Sequence, residues 1–203
     1  MIKNKEVTKT KIFEALEQII SEGGVSAAGI NNTAKTAGVD KVLIYRYFGG
    51  FNELLKEFII QKDFFVNFII DEALLKKITD NETKVEFLKS VLLNQYNYIK
   101  NNVIFANILI WELSTKNEIT EYIAKERERV GLKNLEILSK YFKIDKNINA
   151  IISLLISGIY YLALRSKTVE VFNGIKLNEV AGIKELEQGI DMLLKLIVNN
   201  IKI

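Results

Sequence analysis

Lys41, Val42, Tyr45 and Arg46 are the side chains with the most binding chemistry to offer, and their spacing sets them side by side. At about 100° per residue they share one face of a short helix, and Ile44 and Phe48, four apart, share roughly the opposite one. Two cations, a phenol and a small apolar side chain can hold phosphates, hydrogen-bond to base edges and touch a thymine methyl. The apolar face can dock on a small core. A short helix divided in this way can present its outer side to a DNA major groove.

Such a helix needs a turn and a supporting helix before it. Ile30 to Ala37 reads as a short helix, and Gly38 follows where a tight turn requires a residue tolerant of positive φ. Asp40 is placed to cap the next helix, its carboxylate accepting from the exposed N–H groups of the first turn. Ala37 to Phe48 therefore reads as the turn and second helix of a helix-turn-helix.

The run Ala-Gly-Val-Asp-Lys-Val-Leu-Ile-Tyr-Arg-Tyr-Phe over residues 37–48 resembles the DNA-reading segment of the tetracycline-repressor-like regulators. The resemblance implies an all-α fold, with a three-helix DNA-binding domain over residues 1–50 and a helical effector-binding and dimerisation domain over 51–203. It places Val42 and Tyr45 near bases, with Leu43 beside them, and gives Lys41, Arg46 and Tyr47 to phosphates. Arg46 could instead reach a guanine in bidentate fashion. It further implies a homodimer on a near-palindromic double-stranded operator, a small apolar or amphipathic effector, and repression. Two positions depart from the family pattern. Phe51 stands where a lysine usually meets a phosphate, with Lys56 one turn further on, and Thr33 replaces a core isoleucine, which predicts a looser second helix. These departures leave room for an alternative, a helical small-molecule or protein-binding module whose DNA function has lapsed.

Composition narrows the classes. The 203 residues hold 49% apolar side chains, enough for a sizeable core, and no proline, which suits long helices. With Cys 0 and His 0, disulfides, thiol nucleophiles and the commonest metal ligand are excluded. No phosphate-cradling glycine loop or metal-spaced carboxylate cluster is visible, so neither catalysis nor a cofactor nor a bound metal is expected. The net charge of +3 permits nucleic-acid binding without requiring it. Residues 1–8 lack an apolar core or cleavage site, so a cytoplasmic location is expected.

The remaining positioning elements read as helices. A first helix starts at Thr8 or Thr10, carries Ile12, Leu16, Ile19 and Ile20 inward, and ends at Gly23-Gly24. Lys3, Lys5, Lys9 and Lys11 make a basic N-terminus, either a solvated end or an arm near the phosphate backbone. A long helix is expected from Asn52 through Ile70, coupling the two halves rigidly. Further helices are expected from Asn81, over 103–114, from 118 to about Tyr141, over 146–166 and from Asn178 to Asn200. The run 125–129 reads as a solvated, salt-bridged face, and Glu112 as a surface carboxylate. Asn147 to Leu164 carries no charge and is barely long enough to span a membrane; its polar and small residues favour a helix buried in an interface, and no membrane partner is expected. Tyr96, Phe105, Trp111, Tyr122 and Tyr160, with Glu112, could line an effector pocket, or simply fill the core. Within such a pocket Glu112 would favour a cationic lipophilic ligand.

Overall fold

The computed structural model describes residues 2–142, 144 and 146–200, and the side chain of Lys3 lies outside the described residues. Helices dominate in chain order: α1 (Ile2–Gly23), a 3-10 turn (Val25–Ala27), α2 (Ile30–Ala37), α3 (Val42–Phe48), α4 (Phe51–Lys62), α5 (Phe64–Asn67) and α6 (Glu72–Leu75). There follow α7 (Asn81–Asn101), α8 (Val103–Ser114), α9 (Glu118–Ser139), α10 (Lys146–Arg165), a two-stranded hairpin (Val171–Phe172 with Ile175–Lys176) and α11 (Val180–Asn200). The fold is all-α, with an N-terminal helix-turn-helix domain and a C-terminal helical bundle.

One compact unit holds residues 1–68 and 102–130. Its core takes Ile12, Leu16 and Ile20 from α1, Ala34 from α2, Ile44 from α3, Leu54, Leu55, Phe58 and Ile59 from α4, and Ile104 and Ile108 from α8. The α1 set is spaced by four, as one face of a helix requires. This helix begins six residues before the first expected start at Thr8, so the backbone of the basic N-terminus is helical.

Helix α4 does not run on to Ile70. It stops at Lys62 because Asp63 turns to extended backbone and caps α5 instead, Oδ1 accepting from the N–H groups of Phe65 (2.8 Å) and Val66 (3.0 Å). Asn67 Nδ2 then donates to the carbonyls of Ile60 (2.8 Å) and Asp63 (2.7 Å), adding to the long backbone bonds those carbonyls accept from Asp63 N (3.4 Å) and Asn67 N (3.3 Å). The second oxygen of Asp63 accepts from Arg127 Nε (2.8 Å) and Nη2 (2.7 Å). Arg127 also donates to Glu112 and lies over the rings of Phe65 and Phe105. The charged run 125–129 is therefore divided. Arg129 pairs with Glu126 on the surface, while the Arg127 side chain is 16% exposed and neutralises two carboxylates from elsewhere in the chain. Glu112, likewise, is not a surface carboxylate.

The other unit holds residues 69–101 and 131–203. There α7 packs against α10 and α11, with Leu92, Tyr96, Ile99, Ile159, Ala163, Leu186, Ile190 and Leu194 buried. Lys89 pairs with Asp191 at 2.8 Å. Asp80, rather than Asn81, caps α7, accepting from Thr83 N at 2.9 Å. The Asn173-Gly174 loop closes the small hairpin, both residues at positive φ (50° and 86°), as a tight two-residue turn demands. The residues of this hairpin alternate too briefly to announce strands in the sequence.

Thr33 occupies the isoleucine position noted above, fully buried, and its hydroxyl has no hydrogen-bond partner. A buried unpaired hydroxyl costs free energy that an isosteric methyl does not. Replacing Thr33 by Val is expected to stabilise the protein by about 1 kcal/mol, read as a higher urea midpoint at unchanged slope. An unchanged or lower midpoint would contradict this account.

Candidate nucleic-acid interface

The turn between α2 and α3 closes as the residue types require. Gly38 sits at φ 64°, and its N–H and that of Val39 bond back to the carbonyls of Lys35 (3.1 Å) and Ala34 (3.0 Å). Asp40 Oδ1 then accepts from Val42 N at 2.8 Å, and the carbonyls of Asp40 and Lys41 take the N–H groups of Leu43 and Ile44. Helix α3 ends at Gly49, φ 89°, whose N–H donates to Tyr45 O at 2.9 Å.

Within α3, Ile44 is the buried anchor at 0% exposure and Phe48 packs half-buried against the core. Val42 is 60% exposed and Tyr45 56% exposed, adjacent on the outer face of α3. Lys41 and Arg46 are exposed beside them, and Leu43 and Tyr47 are half-buried. Five of the six residues that the sequence singles out thus lie on α3 and Lys41 stands at its N-cap, and Lys41, Val42, Tyr45 and Arg46 are all exposed. Residues 12–58 match the family model described as bacterial regulatory proteins, tetR family. The chain carries a tetR-family DNA-binding domain over this stretch. It is a DNA-binding transcriptional regulator. The matched stretch runs from the first buried residue of α1 to Phe58 of α4, and the helices beyond lie outside it. No curated protein matches the chain.

At the start of α4, Phe51 is half-buried against the core of the tetR-family domain. Lys56 does not stand free in place of the missing lysine. Its ammonium lies 3.0 Å from Glu53 and 3.5 Å from Glu118, and the hydrogen bond it donates to Glu53 leads the causes that raise it above its ordinary pKa. Asn52 caps nothing and donates instead to Glu118 at 3.0 Å. The sequence marked Lys5 and Lys9 as part of a basic N-terminus but not their contact with α3: their ammonium groups sit over the rings of Tyr47 (5.7 Å) and Phe48 (4.7 Å). A lysine four residues before Phe13 on the same helix face was the available signal.

The structure distributes the six pocket candidates. Tyr96 and Tyr160 belong to the second compact unit, Tyr96 fully buried with its hydroxyl 3.4 Å from Leu177 O. Phe105 is buried in the first unit and Trp111 packs against the core there. Tyr122 edges a cleft of about 610 Å3 with Phe13, Phe48 and Lys56. Glu112 edges another of about 480 Å3 with Lys116, Thr120 and Glu121. Burial pushes the Glu112 carboxyl above its ordinary value of 4.5, and Asp63 adds to the rise, against the pull of Arg127.

This shift has a direction in stability. A carboxyl whose folded pKa lies above its unfolded one contributes stability that is complete below the ordinary value of 4.5 and is lost as pH rises through the folded value. Glu112→Gln keeps a group for Arg127 to meet but cannot ionise. The variant should therefore gain on the wild type as pH is raised from below 4.5 to neutrality, read from urea midpoints at a series of pH values. Parallel midpoint curves would refute the role assigned to burial.

Proposed function

We propose that the chain is a ligand-responsive repressor acting as a homodimer on a near-palindromic operator. Residues 1–50 bind DNA, and residues 51–203 hold a small apolar or amphipathic effector and dimerise. The observation that carries the DNA reading is the open face of α3, where Val42 and Tyr45 stand exposed between Lys41 and Arg46 on a helix anchored by Ile44. Val42, Tyr45 and Leu43 meet base edges and thymine methyls, while Lys41, Arg46 and Tyr47 hold phosphates. Effector binding shifts α4 and with it the separation of the two α3 helices, which two half-sites at fixed spacing cannot follow. A regulator of this kind works in the cytoplasm.

The dimer is supported by the second unit. Asn147–Arg165 is long and apolar enough to cross a membrane, yet only 11% of it is buried within the chain. Leu154 is 73% exposed on α10, and Met192 is 67% exposed on α11 with Leu193 and Leu196 beside it. The hydroxyls of Ser153 and Ser157 bond back to the carbonyls of Asn149 (2.9 Å) and Ser153 (2.8 Å), which leaves a small, satisfied face for close helix approach. A second copy covers both stripes.

The test is an anisotropy titration against DNA upstream of the chain's own gene at two salt concentrations. Tyr45→Ala should lower affinity for the specific site by about 1–3 kcal/mol with little change in salt slope, and Lys41→Ala should weaken binding to all sequences and reduce the slope by about 1. Binding that is weak, sequence-independent and indifferent to Tyr45 would sink the reading and leave a binding module without DNA function. For the dimer, Leu154→Arg should convert a two-subunit species into single chains by sedimentation velocity. A wild type that sediments as a single chain at micromolar concentration would end the dimer proposal.

A further inference from the structure

Three successive turns of α1 face the end of the recognition helix. Lys5, Lys9 and Phe13, spaced by four, lie on one side of α1. Lys5 Nζ lies 5.7 Å from the centre of the Tyr47 ring. Lys9 Nζ lies 4.7 Å from that of Phe48 and 3.5 Å from Glu57 Oε1 on α4. The Phe13 ring is 5.7 Å from both Phe48 and Phe58, edge-on to the latter. Lys9 therefore touches α3 with its charge over a ring and α4 through a carboxylate, from a base on α1.

Helix α3 has one fully buried side chain, Ile44. A single anchor holds a helix in place without fixing its rotation or tilt. Phe48, one turn on, is the second anchor, and the face of its ring is what Lys9 covers. An ammonium over a partly exposed aromatic ring, or paired with an exposed carboxylate, is worth little in global stability.

We propose that Lys9, held by Glu57, is a positioning residue that sets the orientation of α3 through Phe48 and does not itself bind a phosphate. The proposal rests on the reading of α3 as the DNA-contacting helix. It separates from a simple phosphate contact because Glu57, an acid, belongs to the same device. Exchanging the pair for Met and Gln leaves the net charge unchanged, so Coulomb attraction to DNA is constant while the brace is gone.

The probe is the duplex that the full-length wild type enriches from a randomised pool. The double variant Lys9→Met/Glu57→Gln should bind it roughly three- to tenfold more weakly, a loss in keeping with the size of the two contacts. The slope of log affinity against log salt should stay as in the wild type, and Lys9→Arg should bind within about twofold of it. Without DNA, hydrogen exchange at the amides of Ile44 to Phe48 should quicken in the double variant while the unfolding midpoint scarcely moves. Wild-type affinity in the double variant would overturn the brace, as would unchanged exchange in α3. So would a loss accompanied by a slope lower by about 1, the mark of a lost phosphate contact. Should the double variant fail to fold, Glu57→Gln alone decides: tighter binding indicates charge repulsion and sinks the brace, and weaker binding supports it. Tyr45→Ala is measured beside these variants. Binding that survives Tyr45→Ala refutes the α3 reading itself, whereas binding lost in Tyr45→Ala and kept in the double variant refutes the brace alone.

Discussion

A helix of seven residues is too short to persist on its own in water, so α3 takes its shape from its seat. Every feature of its open face follows from that constraint. Gly38 brings α2 close enough to share a core with α3, Asp40 closes the first turn, and Ile44 buries the inner face. The outer face then has its direction fixed by the inner one. Val42 and Tyr45 cannot turn inward without pulling Ile44 into water, at a cost of about 2 kcal/mol. Their exposure follows from the seat.

The elements carried by local signals were legible from the sequence. The turn at Gly38, the cap at Asp40, the two-turn helix to Phe48 and the breaks at Asn101-Asn102 and Asn117 all depend on residues within a few positions of each other. The apolar periodicity of α1 and α11 likewise records which side of each helix is covered. Even the misfit at Thr33 showed in the sequence, because a hydroxyl at a core position is out of place whatever surrounds it. Where periodic reading erred within this class, it erred on ends: α1 starts earlier than its first capping threonine, and α7 is capped by Asp80 rather than its neighbour.

What stayed hidden depends on partners far away along the chain. The helix through residue 63 looks unbroken because Asp63 sits among apolar residues of helical spacing. Only the meeting with Arg127, 64 positions on, explains why a carboxylate is buried there. Read by its neighbours at three and four positions, Arg127 belongs to a solvated run. Read by its contacts, it stabilises two carboxylates that burial would otherwise penalise heavily. Lys9 and Glu57, 48 apart, are the same kind of pair. A sequence pattern can show that a charge exists, but whether it faces water is settled by tertiary packing.

This packing of charges bears on how DNA affinity must be built. Residues up to Lys62 carry 9 Lys+Arg against 7 Asp+Glu. Lys9, Lys56 and Lys62 are each held by a carboxylate, and the cations that the helix-turn-helix itself exposes are Lys35, Lys41 and Arg46. If each of these three met a phosphate, one copy would have a salt slope of roughly 3 from them, a modest electrostatic attraction at cellular ionic strength. One copy would bind weakly everywhere, and so would lose little to the non-specific background. Joining two copies makes the second contact intramolecular and raises affinity only where both half-sites are present. The uncovered faces of α10 and α11 and the sparse charge of α3 then answer one requirement. A reading head with few cations is selective only when something else holds two of them at the right distance.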